Sequence, residues 1–379
     1  MPIQFAYLNR NFCILLAFCY TILYPELMNS TCVIGIAGYS GSGKTTLIRK
    51  LLPELKKQGL SVGVLKHIHH NKLNIDIRGK DTDHFYRAGA AFVFAHDAQQ
   101  CFARYRCSDK TFPDFIRIFP AALDLIIVEG HKGIDIPGIW LEKEASRKKA
   151  DKTGYANRKV VFRDDPEYYQ EVLKHIREEL ERFHLSKRPL ISGLLIGGKS
   201  TRMGRPKALL KMSGKTLAEK AFNALSEISG RTVLLGTGQL PEILNTADLI
   251  PDVPGLNGPL AGMLSAFRWS PGSTWVISSV DMPLMHKDAW KWLLSRRKPG
   301  IWAILPKIRG SKGVETTGAV YEPMIFEYVE SLAMKGTAKL QEIAMHPKVS
   351  TPLIPKSLIL AWRNVNSPAE WKEVLSLYA

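Results

Sequence analysis

The stretch "GYSGSGKTT", Gly38 to Thr46, constrains this chain more than any other. Gly38, Gly43, Lys44 and Thr45 satisfy G-x-x-x-x-G-K-[ST], with the apolar run "CVIGIAG" before them and an amphipathic run after. A loop of this kind, placed between a strand and a helix, turns backbone N–H groups inward, and the helix N-terminus adds its own. Together they surround a phosphate, while Lys44 neutralises β/γ charge and the Thr45 hydroxyl ligates Mg²⁺. Gly41 and Thr46 belong to the same cradle.

The surrounding pattern agrees with a parallel sheet covered by helices. In "TTLIRKLLPELKKQG", Leu47, Leu51 and Leu55 recur at i, i+4 and i+8, and Gly59 suits the helix stop. "SVGVLKH" reads as a second strand and "LDLIIVEG", Leu123 to Gly130, as a third, which gives strand–helix–strand order. A carboxylate at the end of a neighbouring buried strand is the usual partner for the Mg²⁺ of such a loop, and Glu129 is the candidate. Asp124 opens the same strand at the far edge of the sheet and is read as structural. Lys66 and His67 fall at a strand's C-terminal end, where ligands bind in open α/β sheets. His67, His69 and His70 either converge with Asp76 or Asp83 on a metal or lie in a solvent-facing loop.

A second glycine-rich basic loop, "LIGGKSTRMGRPK", spans Leu195 to Lys207. It lacks the spacing of the first. A strand feeds Gly197 and Gly198, which permit close backbone approach to a nucleotide. Lys199, Arg202 and Lys207 are spread along a turn, so Arg202 and Lys207 clamp a triphosphate from outside rather than wrap it. That suits attack at the α-phosphorus with pyrophosphate leaving, where positive charge must collect on the departing oxygens. Mg²⁺ bridging substrate oxygens needs a carboxylate. Asp281 in "SSVDMP" ends an apolar strand and is the first candidate ligand; Asp252 in "LIPDVPGLNGPLAG" is the next. "TLAEKAFNALSEISG", closed by Gly230, "RTVLLGTG" and "TWVISSVDMP" repeat the helix and strand grammar of the first half without aligning to it.

At 379 residues two or three domains are expected, at roughly 150 residues each. The charged helix "PEYYQEVLKHIREELERFH" closes the first half, and "LSKRP" after it has the composition of a linker. The boundaries are placed at 31–186 and 187–379. Residues 1–30 form an apolar extension around "FCILLAFCYTILY", with no A-x-A cleavage pattern after it and too short for the ~20 residues of a spanning helix. It reads as a start assigned too early, with Met28 the natural beginning, or as a weak membrane-associating extension. Five cysteines with no C-x-x-C pair argue against a disulfide framework and a structural metal and fit a reducing cytoplasm. A net charge of +17 favours polyanionic partners or simply a soluble surface. No aromatic-rich RNP-like strand or arginine-rich tract supports nucleic acid.

"GYSGSGKTTLIRKLLPELKKQGLSVGVLKHIHH", "DIRGKDTDHFYRAGA" and "DLIIVEGHKG" together resemble the MobB family of GTP-binding adaptors in molybdenum cofactor biosynthesis, over about residues 32 to 170. "GLLIGGKSTRMGRPKALL", "IPDVPGLNGPLAGMLSA", "VDMP" and "NVNSPAEW" resemble the MobA family of molybdenum cofactor guanylyltransferases, over about residues 190 to 376. The two likenesses imply an α/β chain of two three-layer domains, a P-loop NTPase fold followed by a Rossmann-like nucleotidyltransferase fold. They imply transfer of GMP from GTP to molybdopterin with release of pyrophosphate, assisted by an adaptor that hydrolyses GTP weakly at most. They place the nucleotide on Leu195, Ile196, Gly197, Gly198, Lys207 and Asp252, the magnesium on Asp281, the phosphates by Arg202, and the pterin near Asn364 and Asn366. Molybdoenzymes or their chaperones are the recipients such a product implies, and a homo-oligomer is compatible with it. Two departures bear on substrate detail: "LLGTGQ" replaces the family's asparagine after its second strand, and "ETTGAVY" stands where a histidine–proline pair is common. A cytidylyltransferase, another nucleotidyltransferase or a GTP-regulated delivery chaperone are the competing readings.

Overall fold

The computed structural model describes residues 31–68, 76–105, 110–143, 157–197, 203, 206–336 and 339–377. The 1–30 extension, His69, His70, Gly198, Lys199 and Arg202 lie outside the described residues. No helix among the described residues is long and apolar enough to cross a membrane.

The first sheet is parallel and five-stranded. Its strands are β1 (Cys32–Ala37), β2 (Val62–Lys66), β5 (Leu125–Glu129), β6 (Gly138–Glu142) and β7 (Arg158–Phe162), in the order β2-β5-β1-β6-β7. All five residues of β5 are buried, as expected of a strand covered on both faces. Alternation decides the faces: Leu125 and Ile127 pack with helices α1 (Lys44–Lys57) and α4 (Tyr168–Arg182), Ile126 and Val128 with Ile116 and Phe112 of the short α3 (Phe112–Ile116). α1 buries Leu47, Ile48, Leu51 and Leu55 in one stripe, each worth roughly 2 kcal/mol of transfer free energy. It ends at Gln58, and Gly59 turns the chain at φ 80°.

The small helix α2 (Asp81–Arg87) and the hairpin β3 (Phe92–His96) and β4 (Cys101–Tyr105) form a separate outlying layer. Arg104 on β4 ties it together, donating to Asp76 at 2.8 Å and Asp83 at 3.0 Å with its guanidinium 3.8 Å from the Tyr86 ring centre. Both aspartates are thus ion-paired, and Asp83 is held well below the usual carboxylate range, chiefly by the Gly79 N–H and then by Arg87 and Arg104. No metal-holding group of His, Cys, Asp and Glu occurs among the described residues.

The second sheet has seven strands: β8 (Leu190–Leu195), β11 (Arg231–Leu235), β12 (Leu249–Ile250), β13 (Thr274–Ser279), β14 (Ala303–Ile304), β15 (Ala319–Tyr321) and β16 (Val349–Ser350). The order is β12-β11-β8-β13-β15-β14-β16, with β15 antiparallel to its neighbours. A two-residue ribbon, β9 (Lys211–Met212) with β10 (Lys215–Thr216), precedes α5 (Leu217–Ser226). One face carries α6 (Pro259–Trp269) and α8 (Phe326–Met334), the other α5 and α7 (Lys287–Leu294). α5 starts on a Thr216–Glu219 capping box, which satisfies two of the backbone donors a helix start leaves unpaired, and stops at Ser226, four residues before the glycine that suggests its end.

The segment with linker composition is ordered. α4 runs into a π-helical turn, Phe183–Lys187, and β8 begins at Leu190, with His184 and Arg188 both buried.

Candidate functional sites

The first loop has the geometry its sequence implies. Gly38 sits at φ 149°, and a Cβ there would lie 2.3 Å from the Leu141 carbonyl oxygen, so only glycine fits. Gly43 caps α1 in the left-handed region at φ 94°, with the Arg163 guanidinium 3.3 Å from where its Cβ would be. Lys44 folds over the loop, its Nζ donating to the carbonyls of Tyr39 at 2.7 Å and Gly38 at 3.2 Å. Burial holds its ammonium below the ordinary value, with the Glu129 carboxylate pulling the other way. The loop is a ready set of hydrogen-bonding groups at a helix N-terminus, the arrangement that favours a phosphate.

Glu129 closes β5 beside it. The Thr45 hydroxyl donates to Glu129 Oε1 at 2.7 Å, and Lys66 Nζ lies 3.2 Å from both carboxylate oxygens and 3.3 Å from Thr45 Oγ1. A hydroxyl and a carboxylate are the hard oxygen donors Mg²⁺ prefers, and the pair already holds an ammonium between them, so these residues fit the cation. Arg163 and Lys132, whose Nζ lies 4.9 Å from the Tyr39 ring centre, add charge that motif reading did not single out. Next to them His131 adopts φ 46°, unusual for a residue with a side chain, and its ring lies tilted against that of His67, 4.6 Å between centres.

The second site lies where the chain leaves β8. β11 is on one side of that strand and β13 on the other, all three parallel, so the loops that follow them meet at one edge of the sheet and frame the site, the position where open α/β sheets bind ligands. Leu195 and Ile196 are buried at its floor, and Gly197 is exposed above them. On the β11 side Asp252 reaches over Gly236 and Gly262: a Cβ on either would come within 3.1 Å or 3.3 Å of its carboxylate. Burial raises the Asp252 carboxyl above its ordinary value.

On the β13 side the strand stops at Ser279, and Asp281 stands in the turn beyond rather than in the strand. Ser279 Oγ donates to Asp281 Oδ1, and Lys207 Nζ lies 3.7 Å from Asp281 Oδ2. The same ammonium donates to Asn366 Oδ1 at 2.8 Å. Asn366 and Ser367 both donate backbone N–H groups to Glu370, the capping box of α9 (Pro368–Ser376), and Trp371 and Val374 anchor that helix on Leu210, Met212 and Leu217. Val365 N donates to the Asp281 carbonyl at 2.8 Å. Lys207, Asp281 and Asn366 are therefore brought together across about 160 residues of chain. Asn364 hydrogen-bonds Glu315, whose carboxyl is raised by burial and further by the nearby Asp281 charge. Glu315 lies in the "ETTG" departure and was legible only as a departure, not as a second acid beside the first.

Fold and sites define a P-loop nucleotide-binding half joined to a nucleotidyltransferase-like half. The family model for molybdopterin guanine dinucleotide synthesis protein B matches residues 33–161, and that for the MobA-like NTP transferase domain matches residues 193–349. The first half is 38% identical over 122 residues to the molybdopterin-guanine dinucleotide biosynthesis adapter protein of Haemophilus influenzae, covering 32% of this chain and 68% of that protein. The second is 30% identical over 200 residues to the molybdenum cofactor guanylyltransferase of Rhizobium meliloti, covering 48% of this chain and 88% of that protein. It is also 27% identical over 186 residues to a probable molybdenum cofactor guanylyltransferase of Deinococcus radiodurans, covering 49% and 94%. The chain belongs to the MobB adapter family in its first half and to the molybdenum cofactor guanylyltransferase family in its second, a MobB–MobA fusion.

Proposed function

We propose that this chain transfers GMP from GTP to molybdopterin, forming molybdopterin guanine dinucleotide and pyrophosphate at the Lys207–Asp281 site, with the P-loop half as a GTP-binding adaptor. The meeting of Lys207, Asp281 and Asn366 beside a glycine loop, in a guanylyltransferase family member, carries this reading.

Residues 31–186 serve as the adaptor and 187–379 as the transferase. The triphosphate lies along Leu195, Ile196 and Gly197, its nucleoside toward Asp252 and its phosphates toward Lys207. Gly198 and Arg202 belong to the same loop and act on the phosphates. Lys207 stabilises charge building on the departing pyrophosphate, a fixed cation requiring no reorganisation as the bond breaks. Asp281 would hold Mg²⁺, which lowers the electrostatic barrier to attack on the α-phosphorus when bound. Asn364 and Asn366 orient the incoming pterin phosphate. In the adaptor, Gly38, Gly41, Gly43, Lys44 and Thr46 cradle GTP, and Thr45 with Glu129 would hold its Mg²⁺. Both substrates are polyanions, which gives the net charge of +17 a use, and free nucleoside triphosphates place the reaction in the cytoplasm.

The division of labour is tested with Lys44→Ala and Asp281→Asn, assayed for GTP binding and for molybdopterin-dependent pyrophosphate release. Lys44→Ala weakens nucleotide binding in the adaptor and keeps basal transfer; Asp281→Asn lowers transfer sharply and keeps that binding. Equal loss of transfer in both variants contradicts it.

A further inference from the structure

The residues joining the two halves gather at one place in each sheet. On the first half these are Ser61, ahead of β2, and Asp124, ahead of β5. On the second they are Thr274 at the start of β13, Trp302 just before β14, Lys348 just before β16, and Glu322 just after the antiparallel β15. All lie at the strand-start edge of their sheet, opposite the edge that carries the ligand loops.

Two buried charge clusters seal this edge. Asp124, 4% exposed, accepts from the Ser61 N–H at 2.7 Å, from Lys348 Nζ at 2.9 Å and from the Trp302 indole N–H at 3.0 Å. Lys348 also donates to Ser61 Oγ at 2.7 Å and sits 4.3 Å from the Trp302 ring centre. Glu322, 1% exposed, accepts from Arg297 at 2.8 Å, Arg188 at 3.0 Å and Thr274 at 2.6 Å, and Arg297 reaches back to the His184 carbonyl at 2.8 Å. Ala122 packs on the second half's core, and Gly300 faces the Gln58 and Gly59 carbonyls at the end of α1. A buried carboxylate without its partners is strongly unfavourable, so separation of the halves would leave Asp124 deprived of two of three partners unless water replaced them.

We propose that this seam fixes the two halves as one rigid body, with the phosphate loop and the transferase crevice at opposite outer ends, so that nucleotide held by Lys44 does not reach the Asp281 site of its own chain. The five residues of β5 and the six of β13, laid end to end at about 3.3 Å each, separate the two ends by on the order of 35 Å. The adaptor's ligand end therefore lies away from the transferase crevice of its own chain. This does not depend on which nucleotide either loop takes.

Nitroxide labels at Asp164→Cys, exposed just past β7, and Gln239→Cys, exposed past β11, one beyond each ligand edge, test it in the full chain with the native cysteines replaced. Double electron–electron resonance should give one narrow distance distribution beyond about 30 Å, unchanged by GTP and magnesium. A broad distribution, or a population that shortens below about 25 Å with GTP, overturns the proposal. Asp124→Asn should broaden the distribution. If that variant does not fold, Lys348→Met, which keeps the aliphatic stem and removes the cation, carries the same test while both halves still bind nucleotide. A distribution left narrow by Lys348→Met overturns the assignment of rigidity to this seam.

Discussion

Acidification should weaken the fold through His184, in a window set by its burial. The ring is 3% exposed and lies where the π-helical turn meets the second half. Arg188 Nη1 is 3.2 Å from Nδ1, which fixes Nδ1 as the acceptor and puts the ring proton on Nε2, 3.3 Å from Glu322 Oε1. Burial lowers the imidazole from 6.5 to about 4; Glu322 opposes the shift, and Arg188 and Arg297 reinforce it, with Asp124 a further opposing charge. The folded state binds its proton less readily than the unfolded chain, so stability is complete above pH 6.5 and falls as the pH drops toward 4. A shift of this size amounts to about 2–3 kcal/mol between pH 7.5 and 4.5. Below that, Glu322 adds to the loss: burial raises its carboxyl, but Arg297, His184 and Arg188 outweigh this and hold it at about 2. Urea unfolding at pH 7.5, 6.5, 5.5 and 4.5 measures the effect, and His184→Gln, which keeps an acceptor for Arg188, isolates it from His175 and His346, both also lowered by burial. The native chain should lose about 2–3 kcal/mol more than the variant across that range. Parallel pH profiles for the two chains would refute the reasoning.

Three further outcomes follow from the sites. Lys44→Ala should weaken GTP binding to the adaptor by about 10- to 100-fold, the worth of a charge-assisted hydrogen bond, as read by equilibrium dialysis of the Asp281→Asn background. Asp281→Asn should lower the transfer rate by at least about 10²- to 10³-fold, with the circular dichroism spectrum unchanged, because it removes a half-buried turn charge and no core contact. Gly38→Ala should abolish GTP binding and lower the melting temperature together, since its Cβ would enter the Leu141 carbonyl at 2.3 Å; retained binding at native stability would mean the loop is not held as described.

The strands and loops that carry chemistry were legible because their signals are local. The glycine spacing, the leucine stripe of α1 and the apolar run ending in Glu129 each depend on neighbours within about fifteen residues, and the Thr45–Glu129 contact follows from parallel strand order. Asp281 was legible as a strand-end acid, but its place one turn past the strand depends on Val365 holding its carbonyl, a contact from the far end of the chain. Asp124 could be placed at the far edge of its sheet; that it anchors Trp302 and Lys348 could not be read, because those partners carry no motif and lie about 180 and 220 residues away. The "LSKRP" segment shows the same limit in reverse. Lysine, arginine and proline have the composition of a linker, yet Arg188 is buried against Glu322 because tertiary charge pairing overrides composition.

The identity of the transferred group decides what the second half does. With α-phosphate-labelled GTP and CTP offered side by side to the full chain with molybdopterin and magnesium, label should pass to the pterin from GTP, with pyrophosphate released in equal amount. Label arriving from CTP instead would keep the chemistry and overturn the guanylyl assignment; no transfer from either, with GTP still bound, would contradict the enzyme reading itself.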